Sequence, residues 1–187
     1  MKKVLFSLAI VTIASLTANA QTDQGTWLLG GSASFSSTSV SGESGSATSI
    51  SIAPNIGYFF ADNFAAGATV AFGSQSFTGE PSSSAFAIGP FARYYFLPIG
   101  ANAKLFGDAG IAFGSTSAGG GAPSESATQW HIKAGPAFFL NEHTALEATV
   151  GYGSSSSGSG DAKETDNTFQ IAVGFQIHFG GGMSKKK

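Results

Sequence analysis

Eight segments of this 187-residue chain alternate large apolar with small or polar residues at a period of two. A strand whose two faces meet different surroundings has that period, and a helix does not. In the first segment Trp27, Leu29, Gly31, Ala33 and Phe35 share one parity, and Thr26, Leu28, Gly30, Ser32, Ser34 and Ser36 the other. Ile50, Ile52, Pro54, Ile56, Tyr58 and Phe60 alternate with Ser49, Ser51, Ala53, Asn55 and Gly57. The same pattern recurs over 64–72, 86–96, 104–113, 130–140, 146–152 and 169–179. No segment after residue 20 has a convincing helical period. The connections at 61–63, 97–102 and 141–143 are short, and those at 37–48, 75–84, 115–128 and 153–167 are long and rich in Ser and Gly. Long and short connections in strict alternation define an up-and-down meander, with both chain ends at the short-turn side.

The faces decide the solvent. One face carries Trp, Phe, Tyr, Ile, Val, Leu and Ala, and the other carries Ser, Thr, Gly, Asn, Gln and nearly every strand charge. An eight-stranded barrel has a narrow interior that side chains fill, so the small residues belong inside and the large apolar ones outside. Closure pairs the backbone as lipid requires. Only 11% of residues are charged, against roughly 25% in soluble domains, as a lipid-facing exterior demands. On the apolar face aromatic residues recur eight or ten positions apart, as in Trp27/Phe35, Phe64/Phe72, Phe86/Phe96, Trp130/Phe138 and Phe169/Phe179. At ~3.3 Å per residue and a ~40° tilt this spans roughly 20–25 Å, the height between two aromatic girdles. Girdle positions are Trp27, Tyr58, Phe60, Phe64, Phe72, Phe86, Tyr94, Phe96, Trp130, Phe138 and Phe179. The expected fold is all-β: an eight-stranded antiparallel up-and-down transmembrane β-barrel over residues 21–179.

The beginning of the chain supplies a compartment. Lys2 and Lys3 precede an apolar run from Val4 to Leu16, and Ala18-Asn19-Ala20 is a small-x-small cleavage site. Residues 1–20 read as a secretory signal peptide. Residues 180–187 read as a flexible basic tail. The formal net charge of −2 argues against a nucleic-acid binder. The chain has no Cys, which excludes disulfides and thiolate metal sites.

Ile52-Ala53-Pro54-Asn55-Ile56-Gly57-Tyr58-Phe59-Phe60 with Asp62-Asn63, then Gly89-Pro90-Phe91-Ala92-Arg93-Tyr94-Tyr95-Phe96, Gly135-Pro136 and the last strand ending in Phe179 carry a likeness. Over about residues 25–179 the chain resembles the small outer-membrane β-barrels of Gram-negative bacteria, of the OmpX and OmpA-transmembrane-domain type, in their Bacteroidota-like form. The resemblance implies insertion by the outer-membrane assembly machinery, which reads a terminal aromatic such as Phe179. The sequence departs from the pattern by continuing through Gly180-Gly181-Gly182-Met183-Ser184 and three lysines.

Charges of inward parity form the candidate site: Arg93, Lys104, Asp108, His131, Lys133 and Glu147. Counted from the short-turn end, Arg93, Asp108 and Glu147 stand at one level. A charge inside a packed lumen must be paired or hydrated, so an Arg93–Asp108 pair, joined by Glu147 across the lumen, is expected as a polar plug. His143 reads as a solvated turn residue, His178 as lumen-facing, and His131 as a rim residue within reach of a loop acid such as Glu125. No catalytic, metal or cofactor motif is found. The long loops hold Glu43, Glu80, Glu125, Asp161, Glu164 and Asp166 against Lys163. The expected protein is a monomeric, non-enzymatic integral outer-membrane barrel with a structural or surface-interaction role. Its partners are outer-membrane lipids and the assembly machinery, with the long loops extracellular and the short turns and termini periplasmic. Two alternatives are a narrow channel for ions or very small solutes and a secreted soluble lipid-binding barrel.

Overall fold

The computed structural model describes residues 22–39, 46–79, 81–121, 123–158 and 164–180. The expected signal peptide over 1–20, the loop residues Glu43, Glu80, Asp161 and Lys163, and the expected 180–187 tail apart from Gly180 lie outside the described residues. Eight strands follow in order: β1 Trp27–Ser39, β2 Ser46–Ala61, β3 Phe64–Phe77, β4 Ser83–Pro98, β5 Ala103–Ser117, β6 Glu125–Phe139, β7 Thr144–Ser157 and β8 Glu164–Phe179. Each pairs antiparallel with the next, and β1 pairs with β8 to close a barrel.

The strands run further toward the long-loop end than the apolar alternation does. β7 continues from Tyr152 through Ser157, and β8 begins at Glu164 rather than near Phe169. Glu125, Glu164 and Asp166 therefore stand on strands and not in loops. Above the apolar band both faces of a strand are wet, so the hydropathy period vanishes while the backbone ladder continues through Ser, Thr and Gly.

At the other end the turns are tight. Asn63, between β2 and β3, has a φ of 64°, a left-handed conformation that Asn tolerates better than most residues. Its N–H donates to Thr22 O at 2.7 Å, and its carbonyl accepts from Tyr95 N at 2.9 Å. The segment preceding β1 thus folds against the short-turn mouth, where Thr22 and Thr26 are buried.

The apolar parity faces outward. Ten of the eleven residues assigned to the girdle are exposed large apolar side chains. Tyr58 is half-buried, with Trp27 and Phe60 at ring-centroid distances of 5.1 and 5.2 Å.

The interior departs from the expectation of small residues throughout. Leu28, Phe59, Tyr95, Phe106 and Phe139 fill the short-turn end of the lumen, and Phe91 lies one inward position beyond Arg93 on β4, toward the long loops; all six are almost fully buried. They fit because they alternate with inward Ala65, Ala137, Ala145 and Gly57. A Cβ on Gly57 would lie 3.0 Å from Phe91 Cζ. Gly57→Leu is expected to overpack this plug and cost about 1–3 kcal/mol, read as a lower urea midpoint in micelles; an unchanged midpoint would show that the plug is loose.

Candidate functional site

Directly above the aromatic plug lies a layer of buried charge. Arg93 on β4 is the opposite number of Asp108 on β5, which in turn faces Lys133 on β6. Because all three share the inward parity, the ladder alone sets them side by side. Arg93 Nε donates to Asp108 Oδ2 at 3.0 Å. Its NH1 donates across the lumen to Glu147 Oε1 on β7 at 2.7 Å, and lies 3.4 Å from the Tyr95 hydroxyl. The guanidinium carbon stands 4.4 Å from the centroid of the Phe106 ring, a cation–π contact from below. Arg93 is 1% exposed, with Asp108 and Glu147 nearly as buried.

The second oxygen of Asp108 is also engaged. His131 Nε2 lies 2.9 Å from Oδ1, and Lys133 Nζ lies 3.6 Å from the same atom. Gly110 makes the first contact feasible, since a Cβ there would sit 2.6 Å from His131 Cε1. Gln176 Nε2 reaches the free oxygen of Glu147 at 3.4 Å. The layer therefore couples β4, β5, β6, β7 and β8. The fixed charges Arg93 and Lys133 balance Asp108 and Glu147, which is what a low-dielectric interior favours.

One of the charged residues expected in the site makes its contacts elsewhere, and another has a different partner from the one expected. Lys104 does not join the cluster: its ammonium donates to Thr22 Oγ1 at 2.6 Å and Asn63 Oδ1 at 3.0 Å, where it ties the N-terminal segment over the short-turn mouth. The reason is height, because Lys104 is the second residue of β5 and stands four residues before Asp108, at the short-turn end. His131 engages Asp108 below it rather than Glu125. His178 faces the lumen and is buried against Phe59, Tyr95 and Phe139, with centroids 5.8, 6.2 and 5.4 Å away. His143 sits in the turn before β7, where its N–H donates to Asn141 Oδ1.

The lower half of the site escapes the alternation. Phe59 and Phe139 are interior residues that it does not assign, yet the sequence holds a signal for them. The doublets Leu28-Leu29, Phe59-Phe60, Tyr94-Tyr95 and Phe138-Phe139 put a large apolar residue on both parities at the short-turn end. That can happen only where the inside of the barrel is as dry as the outside.

Above the charge layer the lumen is open. A cavity of about 780 Å³ extends toward the long-loop end, walled by hydroxyls and amides such as Ser32, Ser51, Thr69, Gln129 and Gln170, with His131 and Lys133 among its lining. The lumen is thus a polar vestibule closed at its base by a salt-bridged layer resting on packed aromatics.

An apolar exterior, a closed ladder and a plugged polar interior define a transmembrane β-barrel. Residues 6–179 match the Outer membrane protein beta-barrel domain, and the chain belongs to that family of bacterial outer-membrane proteins. The crystal structure of Neisserial surface protein A (NspA) is similar in fold, with a TM-score of 0.59 and 17% identity over 83% of this chain and 98% of that one. The N-terminal β-barrel domain of Pseudomonas aeruginosa OprF gives a TM-score of 0.49 and 15% identity over 83% of this chain and 98% of that one. OprG from Pseudomonas aeruginosa gives 0.49 and 14%, over 87% of this chain and 99% of that one. No curated protein sequence matches the chain. Family membership and the outward apolar face overturn the reading as a soluble secreted barrel.

Proposed function

We propose that this protein is a non-catalytic, monomeric component of the outer membrane that contributes to envelope structure or to surface interaction. The observation that carries this reading is the sealed base of the lumen. Arg93, Asp108 and Glu147 saturate one another above a packed aromatic plug, so the interior serves cohesion rather than transport through to the other side. The polar strand extensions on one side support an orientation with the long loops outside the cell and the short turns and both termini in the periplasm. Its partners in this reading are outer-membrane lipids and, during insertion, the assembly machinery acting on the strand that ends at Phe179.

The runner-up is a narrow channel for ions or very small solutes, which the depth of the vestibule favours. Planar-bilayer recording separates the two. The structural reading expects no reproducible open state across the voltage range at which the bilayer is stable. A recurrent unitary conductance would replace it with the channel.

A further inference from the structure

The seam between β1 and β8 is only half closed. Its ladder runs from Trp27–Phe179 to Ala33–Val173 and stops there. The other ladders continue much closer to the long-loop end, as β7 with β8 does to Ser157–Glu164. Among the described residues, β1 above Ala33 and β8 before Val173 are not laddered to each other. This gap lies at the height of lipid-facing side chains. Phe35, Phe169 and Ile171 border it and, at 69–70%, are the most exposed large apolar residues described. Free strand edges are not tolerated against hydrocarbon unless they line a water-filled cavity. These do: Ser34, Thr168, Gln170 and Ala172 all line the vestibule. This unladdered stretch, a slit in the hydrogen bonding of the wall, therefore lies between a polar vestibule and the acyl region of the membrane.

A second observation lies on the same level. The ladder places Asp108, Lys133, Gly151 and Gln170 in one row across β5, β6, β7 and β8. Among the described residues Lys133 Nζ has a single ionic contact, 3.6 Å from an Asp108 oxygen that His131 already holds at 2.9 Å. Its donors are thus left for the vestibule that it lines. A side chain on residue 151 would meet Lys133, since a Cβ there would sit 2.8 Å from Lys133 Cβ. Gly151 consequently leaves the wall bare between the ammonium and Gln170 at the slit, a distance of two strand spacings or about 10 Å. Glu125 and Asp166 line the same vestibule, so it offers an anion Lys133 and His131 as its basic groups and repels it elsewhere.

We propose that the vestibule binds a single-chain amphiphile with an anionic head. The oxyanion sits on Lys133, and the tail crosses Gly151, passes Gln170 and leaves through the β1–β8 slit into lipid. This goes beyond the envelope role and does not depend on it, because the base of the lumen stays sealed. Head and tail are both needed. A head alone gains little from a hydrated vestibule, and a tail alone has no reason to enter one.

The test uses the full barrel in phosphatidylcholine nanodiscs, followed by backbone amide NMR during titration with dodecanoate, acetate and dodecanol. Dodecanoate is expected to shift Gly151, Gly153 and Gln170 saturably, with acetate and dodecanol at least about ten-fold weaker at those positions, the loss of a charge-assisted contact or of the tail. Lys133→Gln is expected to weaken dodecanoate by about ten-fold, and Lys133→Arg to retain it, with heat-shifted gel mobility confirming that both variants fold. Dodecanol matching dodecanoate at Gly151 would overturn the proposal, as would equal dodecanoate binding by Lys133→Gln. Shifts confined to outward residues such as Phe169 and Ile171 would also overturn it, because they report ordinary partitioning into lipid.

Discussion

Arg93→Ala is expected to lower the unfolding free energy of the barrel in micelles by about 3–5 kcal/mol, the loss typical of breaking a buried ion pair on one side. The change strands two carboxylates. Asp108 and Glu147 both depend on the guanidinium, at 3.0 and 2.7 Å, and neither can turn to bulk water. It also removes the cation that rests on the Phe106 ring 4.4 Å below. Lys133 does not rescue the loss, since it touches only the far oxygen of Asp108. The cost lies in the unpaired charge more than in the missing contact, so neutralising all three with Arg93→Met, Asp108→Asn and Glu147→Gln is expected to recover most of it. Urea titration monitored by the shift between folded and unfolded gel mobility reads both results. An Arg93→Ala midpoint equal to that of the parent would mean that the layer does not hold the barrel together.

Charge on the outer face is the second large effect. Val150 is exposed in the middle of the apolar band on β7, between Leu146 and Tyr152. Val150→Arg is expected to cost about 2–4 kcal/mol in a bilayer, the depth-dependent penalty for a cation on the lipid face of a barrel. Ser155 is on the same strand but lines the vestibule, where an arginine remains in water. Ser155→Arg is therefore expected to stay within about 0.5 kcal/mol of the parent. Refolding yields into lipid vesicles compare the two directly. Equal losses would mean that the two positions share one environment, contrary to the assignment of faces.

The outer surface is the most legible part of the molecule. Lipid imposes one requirement on every strand, so residues such as Ile132, Val150 and Phe175 repeat a single instruction along the chain. The charge level is legible for a related reason: strand parity and distance from the short turns are enough to align Arg93, Asp108 and Glu147. The alternation falls silent above Tyr152, where both faces are wet, and so it understates the length of the strands. It is broken by Phe59-Phe60 and Phe138-Phe139, where both faces are dry, and so it hides the aromatic plug. The position of Lys104 depends on Thr22 and Asn63, contacts separated by 82 and 41 residues that no local pattern records. The open half of the β1–β8 seam is a matter of register between the two ends of the chain, and composition carries no trace of it.

The central claim is that the apolar parity faces lipid while the other parity faces a lumen sealed at Arg93. The chain contains no cysteine, so each introduced thiol carries a unique probe. Spin labels placed singly from residue 128 to 138 along β6 in bilayers measure collisions with oxygen, which concentrates in lipid, and with a nickel chelate confined to water. Labels at Trp130, Ile132, Ala134 and Phe138 should be rich in oxygen collisions and poor in nickel. Those at Gln129 and His131 should admit nickel from the vestibule, and the one at Ala137, within the plug, should admit neither. A smooth profile without the two-residue period, or nickel reaching Ile132 and Ala134 as readily as Gln129, would contradict the account.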